Sequence, residues 1–228
     1  VKFLVCWDTS SSLSSNNFLV CFSSSLTLCL IDSSTVFLYN SASGSKGYPG
    51  SGGSSSGNLG GSSFIGIISE GQIYNQNLNE ILNSNAYAWV VRNSNGDIRN
   101  NNTTTTYGAS YTTDDIIGVA LDLDNNKIYF SKNGDWGDGS GSWDSSTFDA
   151  AVGDVAITAP ASTGNGHYFP TMGASDYSVS STWQLNFGSA PYTISSGIAD
   201  ENDYGNFEYA VPSGFLAINS YNLGTAGG

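Results

Sequence analysis

Hydrophobic and polar positions alternate most regularly between residues 114 and 136. From residue 119 onward, large apolar side chains occupy every second position, which is typical of a β-strand with one buried face. Residues 124–126, Asp-Asn-Asn, favour a turn, and residues 127–131 repeat the alternation. Asn133-Gly134 marks a further turn. The stretch therefore predicts a β-hairpin with one apolar and one polar face, and its apolar face needs a second layer to cover it.

Short apolar segments recur along the rest of the chain, and clusters of Ser, Asn, Asp and Gly bound them. Each segment predicts a strand. They lie at residues 3–7, 18–22, 26–31, 36–39, 64–68, 87–91, 152–159, 167–174, 182–188 and 212–218. Residues 78–82 predict a single helical turn. Strands without intervening helices are typical of an antiparallel two-sheet sandwich, so the predicted fold class is all-β.

A shift in composition divides the chain. Residues 41–63 are rich in Gly and Ser and almost free of apolar side chains, as in a flexible linker or a long surface loop. We therefore predict a strand-rich N-terminal segment at residues 1–40, a sandwich at residues 64–220 and a short tail at residues 221–228. The N-terminal segment is expected either to complete the sandwich or to contact a neighbouring molecule.

Composition and charge exclude several classes of function. The 228 residues are 39% hydrophobic and 13% aromatic, which indicates a folded chain rather than a disordered one. The net charge is −13, from 19 acidic and 6 basic residues. Such a surface repels phosphate groups, so nucleic acid is not an expected partner. No stretch reaches the roughly 18 apolar residues of a membrane span, so membrane insertion is not expected either.

Three cysteines, Cys6, Cys21 and Cys29, lie near the N-terminus. An odd number cannot form a complete set of internal disulfides. Two arrangements stay open: one disulfide with a free thiol, or three buried thiols in strands. The spacing does not match a zinc site, and the only histidine, His167, is distant in sequence.

The hairpin also carries a sequence signature. Residues 115–124 are Asp-Ile-Ile-Gly-Val-Ala-Leu-Asp-Leu-Asp, and residues 127–134 are Lys-Ile-Tyr-Phe-Ser-Lys-Asn-Gly. Together they resemble the central motif of the SPRY (B30.2-like) family, in which a strand of the type GDVIGVALDLD precedes a strand ending in KNG. Further motifs of that family follow the family's order. They lie at residues 64–67 (Phe-Ile-Gly-Ile), 87–89 (Tyr-Ala-Trp), 168–170 (Tyr-Phe-Pro), 185–188 (Leu-Asn-Phe-Gly) and 212–217 (Pro-Ser-Gly-Phe-Leu-Ala).

The resemblance covers about residues 64–220 and is closest to the Ser/Thr/Asn-rich SPRY-like domains of tailed bacteriophages. It implies a concanavalin-like jelly roll and a non-enzymatic structural or adhesion module of a virion, in a tail fibre, an appendage or a capsid decoration. The implied location is the extracellular particle. The implied partners are other virion proteins and a host-surface glycan or protein, and a homo-oligomer is expected because virions are symmetric.

Two departures from the family pattern stand out. Its usual opening strand, of the type GKWYWEV, has only residues 36–39 as a candidate, and the segments at residues 137–165 and 195–209 are longer than usual. Two alternative functions stay open beside the virion module. One is a cell-surface or secreted domain that binds protein or glycan, and the other is a glycan-cleaving enzyme on a concanavalin-like fold.

Glycan cleavage would need two carboxyl groups facing each other across a cleft. The chain has only four glutamates, and none lies in a strand-borne E-x-D-x-E pattern. They are Glu70, Glu80, Glu201 and Glu208. Asp122 and Asp124 match the family motif, where they belong to the scaffold. We therefore expect no enzymatic activity.

The remaining candidates for binding lie in loops and at strand ends. Four aromatic residues there could stack on sugars or anchor a protein partner if their rings are exposed. They are Tyr107, Tyr111, Trp136 and Trp143. The alternative is that these rings cap the core. The carboxylates of Asp135, Asp138 and Asp144 lie in a Gly-rich loop and are candidate calcium ligands, the alternative being that they are simply solvated. No other cofactor is expected.

Overall fold

The computed structural model describes residues 2–3, 29–30, 37–44, 63–69, 85–164, 166–174, 182–219 and 221–222. These residues form fifteen strands and one 3₁₀ turn, Pro160–Ser162. The strands are β1 (Lys2–Phe3), β2 (Cys29–Leu30), β3 (Phe37–Gly44), β4 (Ser63–Ile68), β5 (Ala88–Arg92), β6 (Ile98–Asn100), β7 (Thr103–Thr105), β8 (Ile116–Asp122), β9 (Lys127–Lys132), β10 (Asp135–Gly137), β11 (Trp143–Ser145), β12 (Val155–Ala156), β13 (Phe169–Ala174), β14 (Thr182–Asn186) and β15 (Leu216–Ala217).

The strands form two main sheets. The large sheet has eight strands, in the order β11-β10-β9-β8-β3-β14, with β12 also paired to β9 and β15 also paired to β3. The small sheet has five strands, in the order β13-β4-β5-β6-β7, and β1 pairs only with β2. Every pair is antiparallel except β15 with β3. The predicted all-β, two-sheet antiparallel sandwich is confirmed.

The predicted hairpin is formed by β8 and β9, which pair antiparallel from Ile117 with Lys132 to Asp122 with Lys127. Asn126 in its turn has a positive φ of 54°, which Asn tolerates better than most residues. Asn133 and Gly134 connect β9 to β10 with φ values of 51° and 88°. Two consecutive left-handed residues are the requirement of a type I′ turn, which explains the Asn-Gly sequence at this position.

The main core lies between the two sheets. Alternate residues of β4 and β5 face alternate residues of β8 and β9, as the period-two pattern predicts. The small sheet supplies Ile65, Ile67, Trp89, Val91 and Ile98, and the large sheet supplies Ile117, Val119, Leu121, Ile128 and Phe130.

The second face of the hairpin differs from the prediction of a polar face. Ala120 and Tyr129 on that face are buried, and Trp136 and Phe215 are buried beside them. The Phe148 ring covers this group, with its centre 4.9 Å from that of Tyr129. The prediction of a polar face is therefore wrong at its centre, because later parts of the chain fold back over the large sheet as a third layer.

Strand β3 lies inside the large sheet, where it pairs with β8 on one side and with β14 on the other. It spans Phe37–Gly44 and so crosses the predicted boundary between the N-terminal segment and the Gly/Ser-rich stretch. The proposed division of the chain into segments stays a prediction. The predicted helical turn at residues 78–82, together with Cys6 and Cys21, lies outside the described residues, and Cys29 lies in β2.

Candidate binding surface

Three loops meet at one end of the sandwich, and we call them the three-loop surface. They are residues 93–97 between β5 and β6, residues 106–115 between β7 and β8, and residues 138–142 between β10 and β11. Backbone hydrogen bonds connect the three loops. The N–H groups of Gly108, Tyr111 and Gly141 donate to the carbonyl oxygens of Gly96 (3.0 Å), Asn93 (3.0 Å) and Tyr107 (3.2 Å).

Tyr107 holds the middle loop against the large sheet. Strand β9 pairs with β12 at residues 127–128 and with β10 at residues 131–132, which leaves Phe130 between them without a strand partner on that side. The Tyr107 hydroxyl fills this gap, because it accepts from the Phe130 N–H (2.9 Å) and donates to the Phe130 carbonyl oxygen (3.3 Å). The side chain thus replaces one residue of a missing strand, and burial raises the pKa of the Tyr107 hydroxyl.

Tyr111 connects the same loop to the small sheet. Its hydroxyl lies 3.2 Å from the carbonyl oxygen of Ser63 and 3.1 Å from that of Val91. Ser63 begins β4 and Val91 lies near the end of β5, so one phenol binds the same end of two neighbouring strands. The Tyr111 ring is buried in the main core.

Trp143 connects the third loop to the middle one. Its indole N–H donates to the carbonyl oxygen of Ala109 (2.8 Å), and its ring lies against Gly108. A Cβ atom at position 108 would approach the Trp143 ring to 2.4 Å, so only glycine allows this contact. The centres of the Trp143 and Tyr107 rings are 5.8 Å apart, in an edge-to-face arrangement.

The four aromatic residues predicted for binding therefore have different positions. Tyr107 and Trp143 are in contact, Tyr111 lies on the same loop as Tyr107, and Trp136 packs on the other face of the large sheet, 5.0 Å from the Phe148 ring. Tyr107, Tyr111 and Trp136 are buried, and Trp143 is half-buried. These rings match the alternative that they cap the core, since a ligand could stack on the three buried rings only if the core opened.

The groups that this end of the sandwich exposes are small and polar. Except for Ser94 and Asp114, these groups lie next to Tyr107, Tyr111, Trp143 or a turn glycine, and that neighbour is the signal that would have located them in the sequence. They are Ser94, Asn95, Thr106, Ser110, Thr112, Asp114, Ser140 and Asp144.

The electrostatics of the three-loop surface are acidic. Two nearby cations are in ion pairs, Arg92 with Asp97 (3.3 Å) and Lys132 with Asp115 (3.3 Å), and a third, Arg99, also interacts with Asp97. Asp114, Asp138 and Asp144 take part in no ion pair among the described residues. Hydrogen bonds from the hydroxyl and the N–H of Ser140 lower the pKa of Asp138. The surface therefore carries negative charge at neutral pH.

The structure does not bring together the three carboxylates predicted to bind calcium. Asp138 accepts from the Ser140 N–H (2.8 Å), and Asp144 lies at the limit of hydrogen bonding, 3.5 Å from the Ser140 hydroxyl. Asp135 lies in β10. In the part of the chain that the structure describes, no three His, Cys, Asp or Glu side chains form a group that could hold a metal ion.

The remaining titratable candidates are also engaged within the protein. Glu208 accepts from the N–H of Ser195 (2.6 Å), and Glu201 accepts from the N–H of Gly214 (2.8 Å). The His167 ring packs edge-on against the Phe169 ring, 4.6 Å away. Glu70 and Glu80 lie outside the described residues.

Comparison with known families identifies the sandwich. The family model of the SPRY domain matches residues 56–189, which is more than half of the chain. The chain belongs to the SPRY family. SPRY domains are generally protein-binding modules and are typically non-catalytic. No curated protein shows a significant match to the chain.

The match confirms the resemblance noted at residues 115–134, and it places the whole three-loop surface inside the SPRY domain. The segment from residue 190 onward, which includes β15, lies beyond the matched residues. No helix among the described residues of this SPRY protein is both long and apolar enough to cross a membrane.

Proposed function

We propose that this SPRY domain is a non-enzymatic module that binds a protein partner through the three-loop surface. The observation that carries the proposal is the way in which Tyr107, Tyr111 and Trp143 fix all three loops to the sandwich while small polar groups remain exposed. A loop that is already ordered loses little conformational entropy on binding, so such a surface is well suited to recognition.

The charge of the surface suggests the chemistry of the partner. Exposed Asp114 and Asp144, with half-buried Asp138, complement Lys and Arg side chains, and the exposed Ser and Thr hydroxyls complement polar groups. Attraction between opposite charges increases the association rate and is screened by salt. The partner that this surface fits best is therefore a protein with a basic patch.

We further propose that the module is a structural or adhesion component of a bacteriophage particle, in a tail fibre, an appendage or a capsid decoration. Its location would be the virion, its partners other virion proteins and a host-surface glycan or protein, and its form a homo-oligomer. The support is the resemblance to Ser/Thr/Asn-rich SPRY-like domains of tailed bacteriophages, together with a composition of only 11% charged residues.

Site-specific photo-cross-linking in the native assembly tests both parts of the proposal. Ser140 on the three-loop surface and Ser162 in the 3₁₀ turn are both exposed serines. Thr163, beside Ser162, bonds to Ser69 after the end of β4, so Ser162 lies at the opposite end of the sandwich. We expect a photoreactive residue at Ser140, but not at Ser162, to cross-link to another virion protein.

The outcomes separate the alternatives. Equal cross-linking from both positions would show that the three-loop surface is not the binding surface. Absence of the protein from purified particles would contradict the virion setting and favour the cell-surface or secreted domain. Release of reducing ends from a glycan by the purified protein would contradict a non-enzymatic module.

A further inference from the structure

Half-buried Tyr204 and exposed Tyr221 form an aromatic stack outside the three-loop surface. Their ring centres are 5.0 Å apart and their planes differ by 15°, whereas the other aromatic pairs among the described residues meet edge-on. Tyr221 is 67% exposed, more than any other large hydrophobic side chain in the described part of the chain. The stack therefore presents an exposed aromatic ring to the solvent.

A buried carboxylate fixes the backbone beneath this stack. Asp200 is 5% exposed and accepts hydrogen bonds from the N–H groups of Tyr204 (3.0 Å) and Ala217 (2.9 Å) and from the Asn222 amide (2.6 Å). Asn219 accepts from the Tyr221 N–H (3.1 Å). These bonds fix the backbone at both tyrosines, and we call their stacked rings the platform.

The platform lies outside the residues that match the SPRY family model. The SPRY match ends at residue 189, and Tyr204 lies in the segment of residues 195–209 that is longer than usual for the family. That segment closes on itself through the backbone bridge between Ile198 and Phe207.

The surrounding charge restricts the ligand. Residues 182–222 contain no Lys, Arg or His, so nothing in this segment would compensate a phosphate, sulfate or carboxylate on a ligand. Three of its four acidic side chains already accept hydrogen bonds from the protein: Asp200 as described, Glu201 from Gly214, and Glu208 from Ser195. These hydrogen bonds leave the carboxylates charged and lower the pKa values of Glu201 and Glu208, so a cation is the competing ligand that the experiment has to exclude.

We propose that the stack of Tyr204 and Tyr221 is a binding site for a neutral glycan. The flat apolar face of a pyranose ring fits an exposed aromatic ring, and a rigid ring loses little entropy when it is covered. Asn202 is exposed and donates through its side-chain amide to Asn222 (2.9 Å), next to Tyr221. Its side chain and that of exposed Asp203 supply the hydrogen-bonding groups for sugar hydroxyls.

Titration with neutral oligosaccharides tests the site. The probes are cellohexaose, maltohexaose and chitohexaose, and binding is followed by chemical-shift changes in NMR spectra of the full chain. We expect at least one probe to bind with a dissociation constant of about 1 mM or below. Tyr221→Ala should weaken that binding by about tenfold or more, whereas Tyr221→Phe, which keeps the ring, should change it by less than about threefold.

Two controls make the result specific. Among the described residues, Val152 is the other exposed large hydrophobic side chain, at 45%, and Val152→Ala should leave glycan binding unchanged. Penta-lysine should not displace the glycan. A cation would displace it only if the ring face formed a cation–π site.

The proposal is overturned if no probe binds at about 10 mM, if Tyr221→Ala binds as well as the wild type, or if penta-lysine binds in place of the glycan. The outcome is independent of the protein-binding surface. Tyr221→Ala should leave cross-linking from Ser140 intact, so a failure of either proposal can be recognised separately.

Discussion

At the scale of single residues, the most informative side chain is Tyr107. A phenol that both accepts from and donates to the backbone of Phe130 completes the edge of a sheet without a strand. Only 1% of the Tyr107 residue is exposed, so water cannot replace the hydroxyl if it is removed. A buried donor or acceptor that loses its partner destabilises a protein more than an exposed one does.

We therefore expect Tyr107→Phe to lower the free energy of unfolding by about 1–3 kcal/mol, because it leaves the N–H and the carbonyl of Phe130 unsatisfied. Chemical denaturation followed by circular dichroism measures this change. Tyr129→Phe is the matched control, since the Tyr129 hydroxyl donates only to the carbonyl oxygen of exposed Ala150 (3.1 Å). An equal loss in both variants would contradict the assigned role of Tyr107.

At the scale of elements, the segment from residue 195 to 208 is held at its base by an exposed carboxylate. Glu208 accepts from the hydroxyl and N–H of Ser195, and also from the hydroxyl of Ser196 (3.1 Å). The Ser195 bonds in particular lower the pKa of Glu208 to about 2 from its ordinary value of 4.5. Because the pKa of Glu208 is lower in the folded protein, its hydrogen bonds with Ser195 and Ser196 stabilise the segment fully at pH values above 4.5. This stabilisation is lost as the pH falls towards about 2.

Ser195→Ala should raise the pKa of Glu208 towards 4.5, because it removes the hydroxyl that contributes most to the shift. A pH titration of the side-chain carboxyl carbons by NMR measures the midpoint. The same spectra contain a control in Glu201, whose lowered pKa is due to Ser213 and Gly214. An unchanged Glu208 midpoint in the variant would show that Ser195 does not hold this carboxylate.

At the scale of the whole molecule, buried side chains pack on both faces of the large sheet rather than on one. The main core lies between the sheets, and a second aromatic group lies on the outer face of the large sheet. Phe148 lies at the centre of that outer group, with ring centres 4.9 Å from Tyr129, 5.0 Å from Trp136 and 5.2 Å from Phe215. Phe148 thereby connects β9, β10 and the segment around Phe215 on one face of the large sheet.

Phe148→Ala should lower the free energy of unfolding by roughly 2–4 kcal/mol, since it removes a ring that packs against three others. Fluorine NMR of protein containing 5-fluorotryptophan gives a more selective measurement. We expect the Trp136 resonance to move and the Trp89 resonance, which reports on the main core, to stay in place. Movement of both resonances would indicate that the outer group and the main core are one packing unit.

Whether a structural feature could be predicted from the sequence depends on how far apart in the chain the residues that form it are. The hairpin of β8 and β9 follows from local alternation and from turn residues, both of which act over a few positions. The burial of Ala120 and Tyr129 does not follow, because Phe148 and Phe215 that cover them come from distant parts of the chain. A period-two pattern shows which residues share a face, but not how many layers cover that face.

The candidate sites show the same limit. Aromatic residues in loops are equally consistent with an exposed platform and with a core cap, and only tertiary contacts distinguish the two. Tyr107 is buried because β9 has a gap at Phe130, and this gap depends on where β10 and β12 stop pairing. Tyr204 and Tyr221 become neighbours only through Asp200, whose partners come from three separate stretches of chain.

The position of Tyr107 also has a consequence for the order of folding. The residue follows β7, the edge strand of the small sheet, and precedes β8, yet its hydroxyl completes β9 in the large sheet. The large sheet is therefore incomplete until the connection from the small sheet has docked, and this contact closes a loop of 23 residues. Neither sheet can reach its final state alone, so we expect the two sheets to form in a single cooperative transition, without a stable half-folded intermediate.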